Sequence, residues 1–254
     1  MVDPGWLFFL FILVRMTCFF VIVPFMTLRG IPALIKVGLA GLFSYLIFLT
    51  LDEELFTIPG SMSEFFIMVL SEVLVGLTLG FIVFLVFGGI RTAGQIMDLQ
   101  MSLLMASVFD PQFGSPVTLV GQLYYQLALV YFFIINGHHS LFTALAGSYR
   151  IVPVGMHTLG EATTWGIMEL FFWLFLLAFQ MALPVIVTIL MVDLTLGLIS
   201  KTVPQLHVFI VGLPLKIGVG MLALVLVIPL VGGIFENIFD RMIEDMLNIM
   251  GTFQ

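Results

Sequence analysis

The sequence contains few charged residues for its length. Asp, Glu, Lys and Arg make up 9% of its 254 residues, whereas soluble domains average about 25%. Hydrophobic residues reach 61%, and so few charged side chains cannot build a polar surface over them. The composition excludes an ordinary water-soluble globule and a disordered chain. It predicts a protein covered by lipid or by equally apolar subunits.

Basic residues and cysteine are also scarce. Eight Lys and Arg against fifteen Asp and Glu give a formal net charge of -7. Because no basic cluster is present to neutralise phosphates, nucleic-acid binding is excluded. The one cysteine, Cys18, lies in an apolar run, so the chain cannot form an internal disulfide or a cysteine zinc site.

Sequence motifs of enzymes are missing as well. The sequence has no Walker-type phosphate loop, no H-E-x-x-H motif and no G-x-S-x-G nucleophile elbow. His138 and His139 are adjacent, so on a helix they point about 100° apart and cannot both bind one metal ion. We therefore predict no catalytic residue, no metal site and no cofactor.

Long apolar runs, in contrast, are abundant. A helix needs about 20 apolar residues to cross a hydrocarbon core of about 30 Å. Since the runs lack the alternation of a membrane barrel, they predict an all-α polytopic membrane protein of about six helical segments. The six runs cover residues 5–25, 33–51, 65–87, 117–135, 167–190 and 208–235. The connections 88–116 and 137–164 and the C-terminal tail hold semi-polar helical stretches.

Three ionisable residues, Arg15, Glu72 and Lys216, lie deep within these runs. Each costs about 2.5–3.5 kcal/mol in a membrane helix unless it finds a partner or a wet cavity. Our hypothesis is that Glu72 pairs with Arg15 or with Lys216. The alternative is a proton relay in a transporter.

Proline and glycine recur inside the apolar runs. Proline bends helices and frees carbonyl groups that a neighbouring protein or water must satisfy, and the Gly76-x-x-x-Gly80 spacing lets two helices approach closely. The sequence therefore predicts kinked, closely packed helices, with much of their surface facing partners and not lipid. The prolines are Pro24, Pro184, Pro214 and Pro229.

Methionines form a stripe at the end of the third run. Met97, Met101 and Met105 follow each other at every fourth position, which places them on one helix face. Methionine adapts to irregular shapes, so such a stripe could close around variable contents. Methionine stripes are, however, more often core, and periodicity alone leaves both interpretations open.

The C-terminal tail is predicted to be an amphipathic helix. Its acidic face differs from the basic face of helices that lie on anionic lipid, so docking on a partner protein or on the outer membrane surface is favoured. The apolar stripe comprises Phe235, Ile238, Phe239, Met242, Ile243, Met246, Leu247 and Met250. Away from it lie Glu236, Asp240, Glu244 and Asp245.

The segment 184–216, and most specifically its part from Asp193 to Pro214, contains Pro204-Gln205-Leu206-His207-Val208-Phe209. This segment, with residues along nearly the whole chain, resembles the FliR family of flagellar type III export-gate proteins, which has SctT-type injectisome relatives. His207 departs from the expected Asn, and both side chains can donate and accept a hydrogen bond. Further matches are Gly94-Gln95, Gln100-Met101, Asp110-Pro111, Asn136-Gly137-His138 and Ser148 with Pro153.

The resemblance implies a non-enzymatic subunit of the bacterial inner membrane and flagellar basal body. One copy of the chain would assemble with five FliP-like and four FliQ-like subunits into a closed helical gate. An FlhB-like protein would join at the entrance, and unfolded exported proteins would pass through. Family members form hairpins that are lifted largely out of the bilayer plane, so part of the assembly would project to the periplasmic side.

The resemblance also implies an internal division and a pore plug. Within the single export-gate chain 1–254, residues 1–160 would be FliP-like, and residues 161–254 would form a FliQ-like hairpin with the acidic tail. The plug would follow the methionine stripe and close the pore with apolar side chains. By position the plug would comprise Leu103, Leu104, Met105, Ala106, Ser107, Val108, Phe109 and Asp110, and Met97 and Met101 of the stripe complete the candidate gate. An injectisome gate subunit and a small secondary transporter are the remaining alternatives.

Overall fold

The computed structural model describes residues 4–27, 32–51, 58–104, 118–155, 161–202 and 208–253. These residues form seven helices and no strand. Each of the six apolar runs falls on a helix, and within the described part of the semi-polar stretches residues 88–100, residues 137–151 and the tail up to Gly251 are helical too, which confirms the all-α prediction. The helices are α1 (Pro4–Ile22), α2 (Ala33–Phe48), α3 (Met62–Gln100), α4 (Leu119–Ile134), α5 (Gly137–Ile151), α6 (Glu161–Thr202) and α7 (Val208–Gly251).

Three of the helices are much longer than a bilayer requires. Helices α3, α6 and α7 contain 39, 42 and 44 residues. At about 1.5 Å per residue they reach roughly 58–66 Å, about twice the hydrocarbon thickness. Tilts of up to about 40° do not reduce that length to the thickness of the bilayer. Part of each long helix therefore extends beyond the lipid core.

The number of candidate crossings is smaller than the number of apolar runs. Four described helices are long and apolar enough to cross a membrane, namely α1, α3, α6 and α7. Helices α4 and α5 count as a fifth candidate when the two are taken together as one broken span. Helix α2 has only 16 residues, which is about 24 Å and too short to cross the core.

The prolines of the apolar runs lie either inside a helix or just beyond the end of one. Pro184 lies inside α6, and Pro214 and Pro229 lie inside α7, as the sequence predicted. Pro24 instead lies beyond the end of α1 at Ile22. A proline has no N–H to continue the helix, and its ring clashes with the preceding turn, so the helix stops before it.

The chain divides into two compact units, and α3, α6 and α7 each contribute to both. Unit 1 takes in the described residues up to Val86, those from Asn136 to Phe171, and those from Phe239 onward. Here α3 packs closely on α1: a Cβ on Gly76 would overlap the carbonyl oxygen of Arg15, and one on Gly80 would lie 3.0 Å from the carbonyl oxygen of Phe19. The structure therefore confirms the close contact between two helices that the Gly76-x-x-x-Gly80 spacing predicted.

The C-terminal tail belongs to the core of the chain, which corrects one prediction. Its amphipathic helix is present, but most of the apolar stripe packs within this protein, and of its residues only Leu247 is exposed. In unit 1 the Thr163 hydroxyl donates to the Thr252 carbonyl at 3.2 Å, and Gly166 lies against Ile249. Amphipathic periodicity indicates that one face is covered, and it does not indicate by what. The buried residues include Phe235, Ile238, Phe239, Met242, Met246 and Met250.

Unit 2 comprises residues 87–135 and 172–238, as far as they are described. The Phe87 ring contacts Tyr125 and Phe132 edge-on, which joins α3 to α4. In contrast, the segments of α6 and α7 in this unit leave a broad apolar face uncovered. Phe172 is 80% exposed and Leu226 is 76% exposed. Other exposed members are Phe175, Leu176, Leu183, Leu190, Leu194, Leu198, Leu222 and Leu230.

Candidate functional site

A buried ion pair joins α1 to α3 in unit 1. Arg15 and Glu72 are both fully buried. The Arg15 Nε donates to Glu72 Oε2 at 2.6 Å, and Arg15 Nη2 donates to Oε1 at 3.0 Å. This bidentate arrangement suits the planar guanidinium and is stronger than a single contact. Of the two partners considered for Glu72, the structure places Arg15 beside it.

The remaining donors of Arg15 reach α5 and the residues after it. Nη1 donates to the Ser148 hydroxyl at 3.2 Å, and Nη2 donates to the Val152 carbonyl at 3.1 Å. The guanidinium carbon lies 4.1 Å from the centre of the Tyr149 ring, a cation–π contact. One side chain of α1 therefore holds α3 and α5 together.

The Glu72 carboxylate is also held from the chain that follows α5. The Gly155 N–H donates to Oε1 at 2.9 Å. Gly155 has a φ of 79°, in the left-handed region that favours glycine, and a Cβ there would overlap the end of the Met68 side chain. Three N–H donors therefore contact the carboxylate, two from Arg15 and one from Gly155. A structural role fits this arrangement better than a proton relay.

Lys216 has a different partner. Its Nζ lies 2.6 Å from Asp193 Oδ1 in unit 2, where the two side chains are 21% and 41% exposed. This pair links α6 to α7. The three deep charges of the sequence therefore belong to two separate ion pairs, one fully buried and one at the surface of the α6–α7 hairpin.

The candidate plug is described only at its start. Met97 and Met101 are fully buried in unit 2, and a Cβ on Gly220 would lie 2.6 Å from Met101 Cγ. Both are core side chains here, the more common use of a methionine stripe. Leu103 and Leu104 are half-buried. The other plug residues, Met105, Ala106, Ser107, Val108, Phe109 and Asp110, lie outside the described residues.

One acidic residue beside the stripe was missed by the sequence analysis. Asp98 is fully buried, and its Oδ1 and Oδ2 accept the backbone N–H groups of Val120 and Gly121, each at 3.0 Å. It therefore caps α4 from α3. The available signal was an acid within an otherwise uncharged stretch, but nothing in the sequence names a backbone partner 22 residues away.

Comparisons with known proteins agree with this architecture. The family model "Bacterial export proteins, family 1" matches residues 6–242. The flagellar biosynthetic protein FliR of Bacillus subtilis is 35% identical over 248 residues, which cover 95% of this chain and 94% of that protein. The chain belongs to the FliR family. FliR of Escherichia coli is 30% identical over 89% of this chain and 86% of its own.

The FliR family also has a relative outside the flagellum. The secretion system apparatus protein SsaT of Salmonella typhimurium is 29% identical over 164 residues, 64% of this chain and 63% of that protein. Members of the FliR family are structural components of an export apparatus and not enzymes. Family identity thus confirms both the resemblance and the prediction that the chain has no catalytic role.

Proposed function

We propose that this chain is a structural and gating subunit of the flagellar type III protein-export gate in the bacterial inner membrane. The observation that carries the proposal is the likeness to flagellar FliR proteins along 95% of the chain. The structure adds a physical reason for assembly. Unit 1 buries the Arg15–Glu72 pair and most apolar side chains of its tail internally, whereas the α6–α7 face in unit 2 is apolar and uncovered.

That uncovered face supports assembly with other export components. Lipid covers about 30 Å of a helix, and α6 and α7 are more than 60 Å long by their residue counts of 42 and 44. Lipid alone would leave apolar side chains in water. Partner subunits of the same apolar character would cover these side chains and remove the free-energy cost of exposing them to water. Part of the assembly then projects to the periplasmic side.

The subunit composition of the assembled gate is inferred from the family resemblance. We infer one copy of this chain with five FliP-like and four FliQ-like subunits, and an FlhB-like protein at the entrance. Residues 1–160 take the place of a FliP-like subunit and residues 161–254 that of a FliQ-like hairpin. Consistent with a hairpin, α6 and α7 are connected by the short segment 203–207 and are linked by the Asp193–Lys216 pair.

We assign the pore plug to Leu103 through Asp110, with Met97 and Met101 supporting it from the core. Apolar side chains at a constriction exclude water and ions, and each contact is weak enough to yield to a passing chain. Unfolded export substrates would pass when the plug moves aside.

The plug is tested by trimming Met105, Val108 and Phe109 to Ala in the assembled export complex. We expect the closed complex to leak small solutes, measured as dye efflux from reconstituted vesicles. An unchanged leak with normal assembly would overturn the plug assignment.

Two alternatives stand behind this proposal. An injectisome gate is supported by the likeness to SsaT, which is lower and covers less of the chain than the likeness to flagellar FliR. A secondary transporter would need an accessible ionisable group within the membrane. Glu72 is buried and engaged by Arg15 and Gly155, which argues against that role.

A further inference from the structure

Asp98 bonds the end of one helix to the beginning of the next. It lies two residues before the end of α3 at Gln100. Its two carboxylate oxygens accept the N–H groups of Val120 and Gly121 in the first turn of α4. A carboxylate is favourable there because the first N–H groups of a helix have no partner within the helix and the helix dipole places partial positive charge at this end.

The backbone of Asp98 closes its own helix as well. The Leu103 N–H donates to the Asp98 carbonyl at 3.0 Å, and the Ser102 N–H donates to the Leu99 carbonyl at 3.1 Å. These two bonds form a Schellman cap, which needs a left-handed residue at its centre. Ser102 has a φ of 61°, a left-handed conformation that is unfavourable for a residue other than glycine. The end of α3 is therefore held in a defined geometry despite that cost.

A close backbone contact aligns the same two helices one turn away. A Cβ on Gly94 would lie 2.6 Å from the Cα of Gly121 and 2.6 Å from the carbonyl oxygen of Val120. The helices touch backbone to backbone at this point, and the Asp98 bonds are made at the same residues of α4. Sliding of α4 along α3 would break both bonds to Asp98 and the glycine contact together.

We propose that Asp98 is a positioning residue for the export gate, setting the spacing between the end of α3 and the start of α4. The chain between these ends includes the proposed plug, so the inference rests on the proposed function. Asp98 need not touch the substrate. It acts by fixing the positions of the described residues on either side of the plug segment, Leu104 and Thr118.

The test replaces Asp98 by Asn in the full chain within its assembled export complex. Asparagine has nearly the same size but offers one acceptor oxygen, and its amide group faces an N–H donor in place of the second oxygen. Asp240→Asn is the matched control, because Asp240 is exposed on α7. Spin labels at Leu99→Cys and Leu119→Cys, both exposed positions, report the spacing in a Cys18→Ser background.

Two readouts are compared at equal assembly. We expect Asp98→Asn to broaden the distance distribution between the labels. In vesicles that hold the complex without labels, we expect it to raise efflux of a trapped small dye by about tenfold, the factor expected for loss of one hydrogen bond to a charged group. Asp240→Asn should change neither readout. A purely structural role would lower the amount of complex and leave the leak per complex unchanged.

The outcomes separate the inference from the proposed function. An unchanged label spacing, or a broadened spacing without leak, overturns the role of Asp98 while trimming of the plug residues still gives a leak. If the trimmed plug does not leak either, the plug assignment itself fails. Should the Asn variant not assemble, Asp98→Glu keeps the charge but is one methylene longer, and an unchanged spacing and leak in that variant would also overturn the inference.

Discussion

Unit 1 and the α6–α7 hairpin of unit 2 differ in how their charged and apolar side chains are covered. In unit 1 the buried charges meet partners within the chain, and the tail after Phe239 is covered by its own fold. In the hairpin, long rows of Phe and Leu side chains remain exposed. Unit 1 also exposes apolar side chains, among them Leu34, Met62 and Phe66, so apolar exposure alone does not distinguish the regions. What differs is that unit 1 holds a fully buried ion pair and a largely covered tail, whereas the ion pair of the hairpin is partly exposed.

The two ion pairs repeat this contrast. Arg15 and Glu72 are withdrawn from water and are surrounded by further hydrogen bonds, whereas Asp193 and Lys216 lie at a partly exposed surface. Removing one partner of a buried pair leaves a charge that nothing compensates, while a surface pair contributes little. Four predictions follow this comparison from the largest effect to the smallest.

Glu72→Gln should be the most damaging change. It leaves the Arg15 guanidinium buried without a counter-charge, so we expect a loss of about 3–5 kcal/mol in the free energy of unfolding. The measurement is the melting temperature and yield of the chain in its complex. Glu236→Gln, at an exposed position of α7, is the control and should have no effect. A Glu72→Gln variant with normal melting, assembly and export would show that the buried pair is not what stabilises unit 1.

The exposed hairpin face should matter for assembly and not for the fold of the chain. Phe172→Ala with Leu226→Ala removes contact area that partners would cover, and central apolar contacts are worth about 2–4 kcal/mol of binding. We expect partner subunits to be lost on purification while the chain keeps its helicity and melting. Phe132→Ala, a fully buried position, should instead lower the melting of the chain itself. Equal effects on assembly and on melting would remove the distinction between the two faces.

Glycines on α3 test the close helix contacts in both units. Gly76→Ala in unit 1 and Gly94→Ala in unit 2 place a methyl group against backbone atoms that cannot turn away. Each should destabilise by about 1–3 kcal/mol. Gly88→Ala lies on the same helix with nothing within 4 Å of the new methyl, so it should be neutral or stabilising by up to about 1 kcal/mol. The melting temperatures of the three variants test this prediction. Equal changes in all three would show that the close contacts at Gly76 and Gly94 do not determine stability.

Lys216→Met should have the smallest effect. The pair with Asp193 is partly exposed, and such pairs contribute about 0–1 kcal/mol. We expect the melting temperature to change little, in contrast to Glu72→Gln. A loss as large as that of Glu72→Gln would place the Asp193–Lys216 pair in a dry interface and weaken the contrast between the two pairs.

Much of the fold could be predicted from the sequence because lipid and apolar packing leave few solutions. Long apolar runs without alternation require helices, the spacing of Gly76 and Gly80 indicates a close helix contact, and Glu72 needs a partner. The sequence could not predict which distant parts of the chain pack against each other. It did not tell whether the tail packs on a partner or on the chain itself, because both require the same stripe.

Asp98 shows a second limit. Its partners are backbone N–H groups, which every residue except proline carries, so no pattern of side chains identifies them. The sequence also did not show that α3 continues without a break beyond its apolar run. Residues 88–100 are semi-polar, and only packing in unit 2, with Ile90, Ala93 and Met97 fully buried, shows why the helix continues beyond the apolar run.

Mass measurement of the intact complex purified from membranes tests the central claim most directly. The proposed function predicts one copy of this chain bound to several copies each of a FliP-like and a FliQ-like protein. A chain that purifies alone or only with copies of itself, stable and folded, would contradict the claim that unlike subunits cover its apolar face.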